Sequence, residues 1–376
     1  MLMSIFHKKA RWAQVTLSTI LVAALLASCS RAPDLVGIDN SETPVESVGE
    51  ATRQKIFITT TRQATEVVGA FYSGQRAPEL GLASVVVSIP PNHVPGELER
   101  AKRMPPDPRT EFAVIEPTVY QSDNAFIRSV NAALAELPPN ERDILFFVHG
   151  YNNTISDSIL RLAQFVEDTD YKGVPVLFSW ASAAQPAKYV YDMNSALAAR
   201  PRLLEATGLI VRTNAKGGDI FAHSMGSLLT MEAIVAAEQA GKFNATGRLK
   251  AVMLASPDID IDLFRSQLSM IGKDHQNIYI LTSKDDSALG FSRRVSGGVS
   301  RVGSADAAEL ADLGVTVIDL SNVDDSKSGS HSKFAGSPEV VQLIGQGLNS
   351  SSRFGASSKN PLKNMIDGLP ILVVTD

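Results

Sequence analysis

Ser224 stands in Ala222-His223-Ser224-Met225-Gly226, after the strand-like Asp219-Ile220-Phe221 and before the helix-like Ser227-Leu228-Leu229-Thr230-Met231. A serine flanked by small residues at −2 and +2, at a strand-to-helix junction, is the local pattern of a nucleophile elbow. The tight turn lifts the hydroxyl above the strand end, and the small residues let strand and helix approach. Position −2 is Ala222 where glycine is usual, a departure of one methyl. The chemistry such a serine serves is acyl transfer through a covalent ester. A second pattern, Phe146-Phe147-Val148-His149-Gly150-Tyr151-Asn152, ends a buried strand in His-Gly. Acyl transfer needs two backbone N–H groups aimed at a developing oxyanion. Met225, next after the serine, and Tyr151, which Gly150 allows to turn inward, are the candidate donors.

Short apolar runs alternate with helical periodicity from Lys55 onward. Strands are expected at 56–60, 84–89, 144–148, 174–180, 218–222, 249–255, 278–282 and 315–320. Helices are expected at 154–167, 194–208 (interrupted near Pro201), 226–240, 261–270 and 338–348. Continuous apolar strands between amphipathic helices imply a mostly parallel central sheet with helices on both faces, an α/β architecture. In such a sheet the chemistry collects at the C-terminal ends of the strands. Two carboxylates follow strands on that side: Asp258 after 249–255, and Asp286 after 278–282, with Asp285 beside it.

A serine nucleophile needs a base suited to neutral pH, and histidine is that side chain. The chain has six. His7 belongs to the leader, His149 to the candidate oxyanion loop, and His223 adjoins the serine with its side chain expected to point away. His93 precedes the nucleophile, and His275 precedes a strand at the wrong end of the sheet. His331, in Ser328-Gly329-Ser330-His331-Ser332 after the last strand, is the remaining candidate base. Trp180 reads equally as a pocket wall or as core, and Arg293 and Arg294 read as a solvated basic pair.

His149-Gly150-Tyr151-Asn152, Phe178-Ser179-Trp180, Ala222-His223-Ser224-Met225-Gly226, Ala255-Ser256-Pro257-Asp258, 283–289 and His331-Ser332 together resemble a bacterial α/β-hydrolase family of unassigned function, often found as lipoproteins. The resemblance spans about 55–348. It implies the α/β-hydrolase fold and a Ser–Asp–His triad, favours Asp286 over Asp258 as the acid, and brings no substrate. Ester hydrolysis is the default reading. A lipase, thioesterase or transacylase would use the same residues, and a non-catalytic envelope lipoprotein with this fold as a binding module is the alternative.

Lys8, Lys9 and Arg11 precede an uncharged apolar stretch at 15–27, a secretory leader too short to span a bilayer. It ends in Leu26-Ala27-Ser28-Cys29, which resembles a lipobox. Cys29 is therefore the expected lipidation site, anchoring the protein in the cell envelope. Ser30 at the following position points to the outer membrane, facing the periplasm. Residues 1–28 are expected to be the leader, 29–54 a flexible tether, 55–348 the hydrolase domain and 349–376 a C-terminal tail. Without the leader's three cations, 32 Lys and Arg face 40 Asp and Glu, a net charge of −8. That balance argues against a nucleic-acid partner. Neither a glycine-rich phosphate loop nor a His-Glu-x-x-His helix occurs, so no metal or organic cofactor is implied. The expected partners are a small-molecule or lipid ester and, through Cys29, a membrane.

Overall fold

The computed structural model describes residues 32–272, 277–324, 330–349 and 371–374. The leader, Cys29, His275 and most of the tail lie outside them. Ten strands form one sheet: β1 (Thr52–Ala64), β2 (Tyr72–Ile89), β3 (Ala113–Val119), β4 (Asp143–Val148), β5 (Val174–Ser179), β6 (Gly217–His223), β7 (Leu249–Ala255), β8 (Ile278–Thr282), β9 (Thr316–Asp319) and β10 (Leu372–Val374). Their order is β10-β9-β8-β7-β6-β4-β5-β1-β2-β3. The seven from β9 to β1 run parallel, while β2, β3 and β10 each pair antiparallel with a neighbour. After β4 the chain moves to one side for β5 and to the other for β6. The crevice at the C-terminal ends of β4 and β6 is thus a topological switch point.

Helices cover both faces: α1 (Asp123–Glu136), α2 (Ile155–Asp168), α3 (Tyr189–Val211), α4 (Met225–Gln239), α5 (Ile261–Ile271), α6 (Ser287–Val295), α7 (Ala307–Ala311), α8 (Lys333–Gly336) and α9 (Pro338–Asn349). Side chains alternate across each strand, so neighbours serve opposite cores. Phe146 and Ala222 pack with α3, α4 and α5 on one face. Phe147 and Phe221 stack at 5.7 Å and pack with α2 and α9 on the other. Several helix starts carry side-chain caps, such as the Thr154–Asp157 capping box of α2, while α3, α4 and α8 start without one.

Two expectations are corrected. The expected tether to residue 54 is docked from its first described residues. Leu35 and Val45 are fully buried, Val36 bridges Gly69 and Val114, and β1 begins at Thr52. These apolar residues have no period, because each fills a separate seat on an existing surface. α3 also runs unbroken through Pro201. Pro201 lies on the exposed side, where a carbonyl left without its helical partner can bond water. Part of the tail forms the edge strand β10.

The loop after β2 is pinned to α2 by His93, whose ring nitrogens each lie 2.7 Å from a carboxylate oxygen, of Glu99 and of Asp168. Burial alone would lower its pKa, but the bonds to Asp168 and Glu99 outweigh that and raise it to about 9. A histidine raised above its ordinary 6.5 adds stability that is complete below that pH and lost as pH rises through the folded value. The stability difference between wild type and His93→Gln in urea unfolding should be roughly 1–2 kcal/mol near pH 6, allowing for partial solvation, and fade above about pH 9. A difference that is constant with pH would disprove the pin's electrostatic origin.

Candidate active site

Ser224 leaves β6 and precedes α4 with φ 55° and ψ −123°, a left-handed conformation rare for a residue with a side chain. Its N–H donates to the Ala255 carbonyl of β7 (2.9 Å), and its carbonyl accepts from Asp258 N (3.2 Å) and Ser227 N (2.9 Å). Two glycines make room for the turn. A Cβ on Gly226 would lie 2.4 Å from the His149 carbonyl oxygen, and one on Gly150 would lie 2.9 Å from Ser224 Cβ. The β4–α2 loop therefore presses against the serine at Gly150. Met225 N is among the first-turn N–H groups of α4 that have no intrahelical acceptor. Ser224 is 2% exposed, so any substrate must enter a narrow approach.

His331 follows β9 and packs against the elbow. Its ring centroid lies 4.7 Å from that of His223, and its carbonyl accepts from His223 Nε2 (3.1 Å). A carbonyl only accepts, so His223 carries its proton on Nε2. Burial, with the nearby His331 ring, pushes the His223 pKa well down and keeps it neutral. His331 Nδ1 lies 2.8 Å from Asp286 Oδ2, which leaves Nε2 available as an acceptor. The other Asp286 oxygen accepts from Leu289 N (2.9 Å), capping α6. One carboxylate thus fixes both a helix start and the imidazole tautomer.

Asp258 is engaged elsewhere. It accepts from Tyr189 Oη (2.8 Å) and Ser292 Oγ (2.5 Å), and Arg301 Nε is 3.4 Å away. Asp285 turns the other way from Asp286 and accepts from Ser330 Oγ (2.6 Å) and Lys333 Nζ (2.9 Å). Lys333 also donates to the Leu320 carbonyl (2.9 Å). Burial would raise the Asp285 pKa, but its bonds to Ser283, Ser330 and Lys333 hold it at about 2. The residues on either side of the His331–Ser332 pair are therefore tied to the carboxylate next to Asp286.

Sequence reasoning missed Arg62 and Asp192. Arg62, 1% exposed, donates to Ser179 Oγ (2.8 Å) and to the carbonyls of Asn153 (2.7 Å) and Ser182 (3.1 Å). Asp192, fully buried at the start of α3, accepts from Ser182 Oγ (2.5 Å), Ala183 N (2.7 Å) and Asn152 N (3.2 Å). Together they brace the 149–154 loop against the loop after β5. His149 serves the same frame. Its ring stacks on Trp180 at 4.8 Å, Nδ1 lies 2.7 Å from the Gly150 carbonyl, and Nε2 lies 3.1 Å from the Trp180 carbonyl and 3.4 Å from Arg62 Nη2. Burial and Arg62 lower its pKa to about 3. Trp180 is core, with no exposed surface and Nε1 bonded to the His149 carbonyl (2.8 Å). Arg293 and Arg294 are exposed on α6, as expected of a solvated pair.

No group of three or more His, Cys, Asp or Glu positioned to hold a metal ion occurs among the described residues. Among them, no helix is long and apolar enough to cross a membrane. No functionally curated protein matches the sequence. Among solved structures, lipase B of Aspergillus fumigatus is similar at 14% identity and a TM-score of 0.39, over 73% of this chain and 66% of the lipase. An arylesterase is similar at 12% identity and a TM-score of 0.30, over 82% of this chain and 87% of the esterase. Residues 126–347 match the family described as alpha/beta hydrolase of unknown function (DUF900), and with more than half of its length inside that match the chain belongs to this family.

Proposed function

We propose that the protein is a serine hydrolase acting on carboxylic esters, with Ser224, His331 and Asp286 as its triad. The observation that carries this reading is the 2.8 Å His331–Asp286 bond set against a serine held at φ 55° on the neighbouring turn. His331 Nε2 takes the proton from Ser224 Oγ as the oxygen attacks the ester carbonyl carbon. The N–H groups of Met225 and Tyr151 receive the oxyanion. The imidazolium, stabilised by Asp286, returns its proton to the departing alkoxide and leaves an acyl-serine. Water, deprotonated by the same imidazole, then releases the carboxylic acid and restores Ser224. No step calls for a metal or organic cofactor. Cys29 is proposed to carry the lipid that holds the enzyme on the outer membrane, facing the periplasm.

A fluorophosphonate probe should label the wild type and fail on Ser224→Ala. Hydrolysis of a short activated ester should fall about 10³-fold or more in His331→Ala with the fold intact. Labelling that survives in Ser224→Ala, or an unchanged rate in His331→Ala, would defeat the assignment and favour the binding-module reading. Between the two acids, Asp286→Asn should lower kcat by up to ~10⁴ because the imidazole loses the partner that fixes its tautomer. Asp258→Asn should act mainly on thermal stability. The reverse pattern would make Asp258 the acid.

For the anchor, mass spectrometry of protein from a lipoprotein-processing Gram-negative host should find an acylated Cys29 as the first residue. A Cys29→Ser chain still processed at that site and still membrane-bound would rule the anchor out.

A further inference from the structure

Away from Ser224, the sheet face beneath α3 and α4 holds an apolar cavity of about 540 Å³. Ile144, Gly218 and Leu249 line it near the starts of β4, β6 and β7, at the sheet end opposite the candidate active site. It follows β4 as far as Val148, four residues or about 13 Å of strand. Its walls are two helical stripes: Leu204, Gly208 and Val211 on α3, and Ala233 and Ala237 on α4 with Ala240 just past its end. None of Ser224, Asp286 and His331 lines it.

The space is left by small residues. A Cβ added to Gly208 would meet nothing within 4 Å, and on α4 Ala233, Ala236 and Ala237 stand beside Thr230 and Ile234 where larger side chains would narrow the gap. The pocket opens to solvent past the exposed Gly208, Val211 and Lys242, and its volume lies in the range of small-molecule pockets. The mouth lies at residues 240–248. Exposed Lys242 stands there beside Arg248, whose guanidinium is taken up by the carbonyls of Thr213 and Ala215. One carboxylate residue, Asp219, adjoins the cavity, but it alternates with the cavity-facing Ile220 and acts on Tyr279 of the opposite core.

An apolar bore with a cation at its rim matches an alkyl chain ending in an anion. We propose that this cavity binds a free long-chain fatty acid, with the chain inside and the carboxylate at Lys242. The site is distinct from the catalytic centre and does not depend on the ester-hydrolase reading.

The test is titration of the purified full-length protein with a fluorescent polyene fatty acid. Wild type and Ser224→Ala should bind one equivalent alike. Gly208→Leu and Ala237→Leu, which fill the bore, should each weaken binding at least about tenfold without lowering Tm or the rate on a short activated ester. Lys242→Glu should weaken binding several-fold, and the matching fatty alcohol should bind correspondingly less well. No saturable binding below about 100 µM would overturn the proposal. So would undiminished binding in a filled variant that remains folded, or an alcohol bound as tightly as the acid. Binding lost in Ser224→Ala would place the probe in the catalytic centre and overturn it as well. Failure of fluorophosphonate labelling with fatty-acid binding intact would count against the hydrolase reading alone.

Discussion

The left-handed backbone at Ser224 is the constraint around which the site is built. A non-glycine residue in a sparsely populated conformation costs on the order of 1–3 kcal/mol and persists only where its surroundings over-determine it. Here β7 and the loop after it bond the serine's own N–H and carbonyl, fixing the peptide groups on both sides. Gly150 and Gly226 let the β4–α2 loop and the start of α4 close on it, where a methyl would collide with backbone or with the serine itself. The strand order puts the ends of β4, β6 and β7 side by side, so one turn can be held by three neighbours at once.

Two buried charges keep those neighbours in place. Arg62 comes from β1 and Asp192 from α3, yet both reach the same pair of loops, after β4 and after β5. Taking a charge out of water is costly unless hydrogen bonds replace hydration. Arg62 spends its donors largely on backbone carbonyls, and Asp192 spends its acceptors on backbone N–H groups and the Ser182 hydroxyl. This arrangement ties loop conformation to charge satisfaction: if either loop moves, a buried ion loses partners. His149 complements it by remaining neutral, because burial, and after it the nearby Arg62 charge, disfavours its protonated form.

What the sequence made legible was what local pattern controls. β7 and β8 begin and end where the apolar runs do, and the elbow is visible because strand, serine and helix are consecutive. His331 and Asp286 could be named as candidates from their places after strands, and the structure brings them together. Arg62 and Asp192 gave no such signal. Arg62 sits in a polar stretch of β1, and the Asn153 carbonyl it serves is 91 residues away. His223 was expected only to point away from the serine, because its carbonyl partner at His331 lies 108 residues on. The docking of Leu35, Val36 and Val45 was hidden for a related reason. Single apolar residues in a polar segment show no period, and only the finished surface reveals their seats.

The adjacent carboxylates Asp285 and Asp286 show how two neighbours in one turn can take different partners. Both lie in the same turn after β8, and both receive bonds from the segment around His331. Asp285 binds Ser330 and Lys333, so it holds the backbone that carries the imidazole. Asp286 binds the imidazole itself and, through Leu289 N, the start of α6. Successive side chains in a turn point in different directions, and here that lets one aspartate locate the loop while its neighbour orients the ring. Asp258 follows the wall strand β7, but its oxygens are committed to Tyr189, Ser292 and Arg301. Reaching an imidazole would require breaking a buried network, whereas Asp286 reaches His331 with its helix cap still in place.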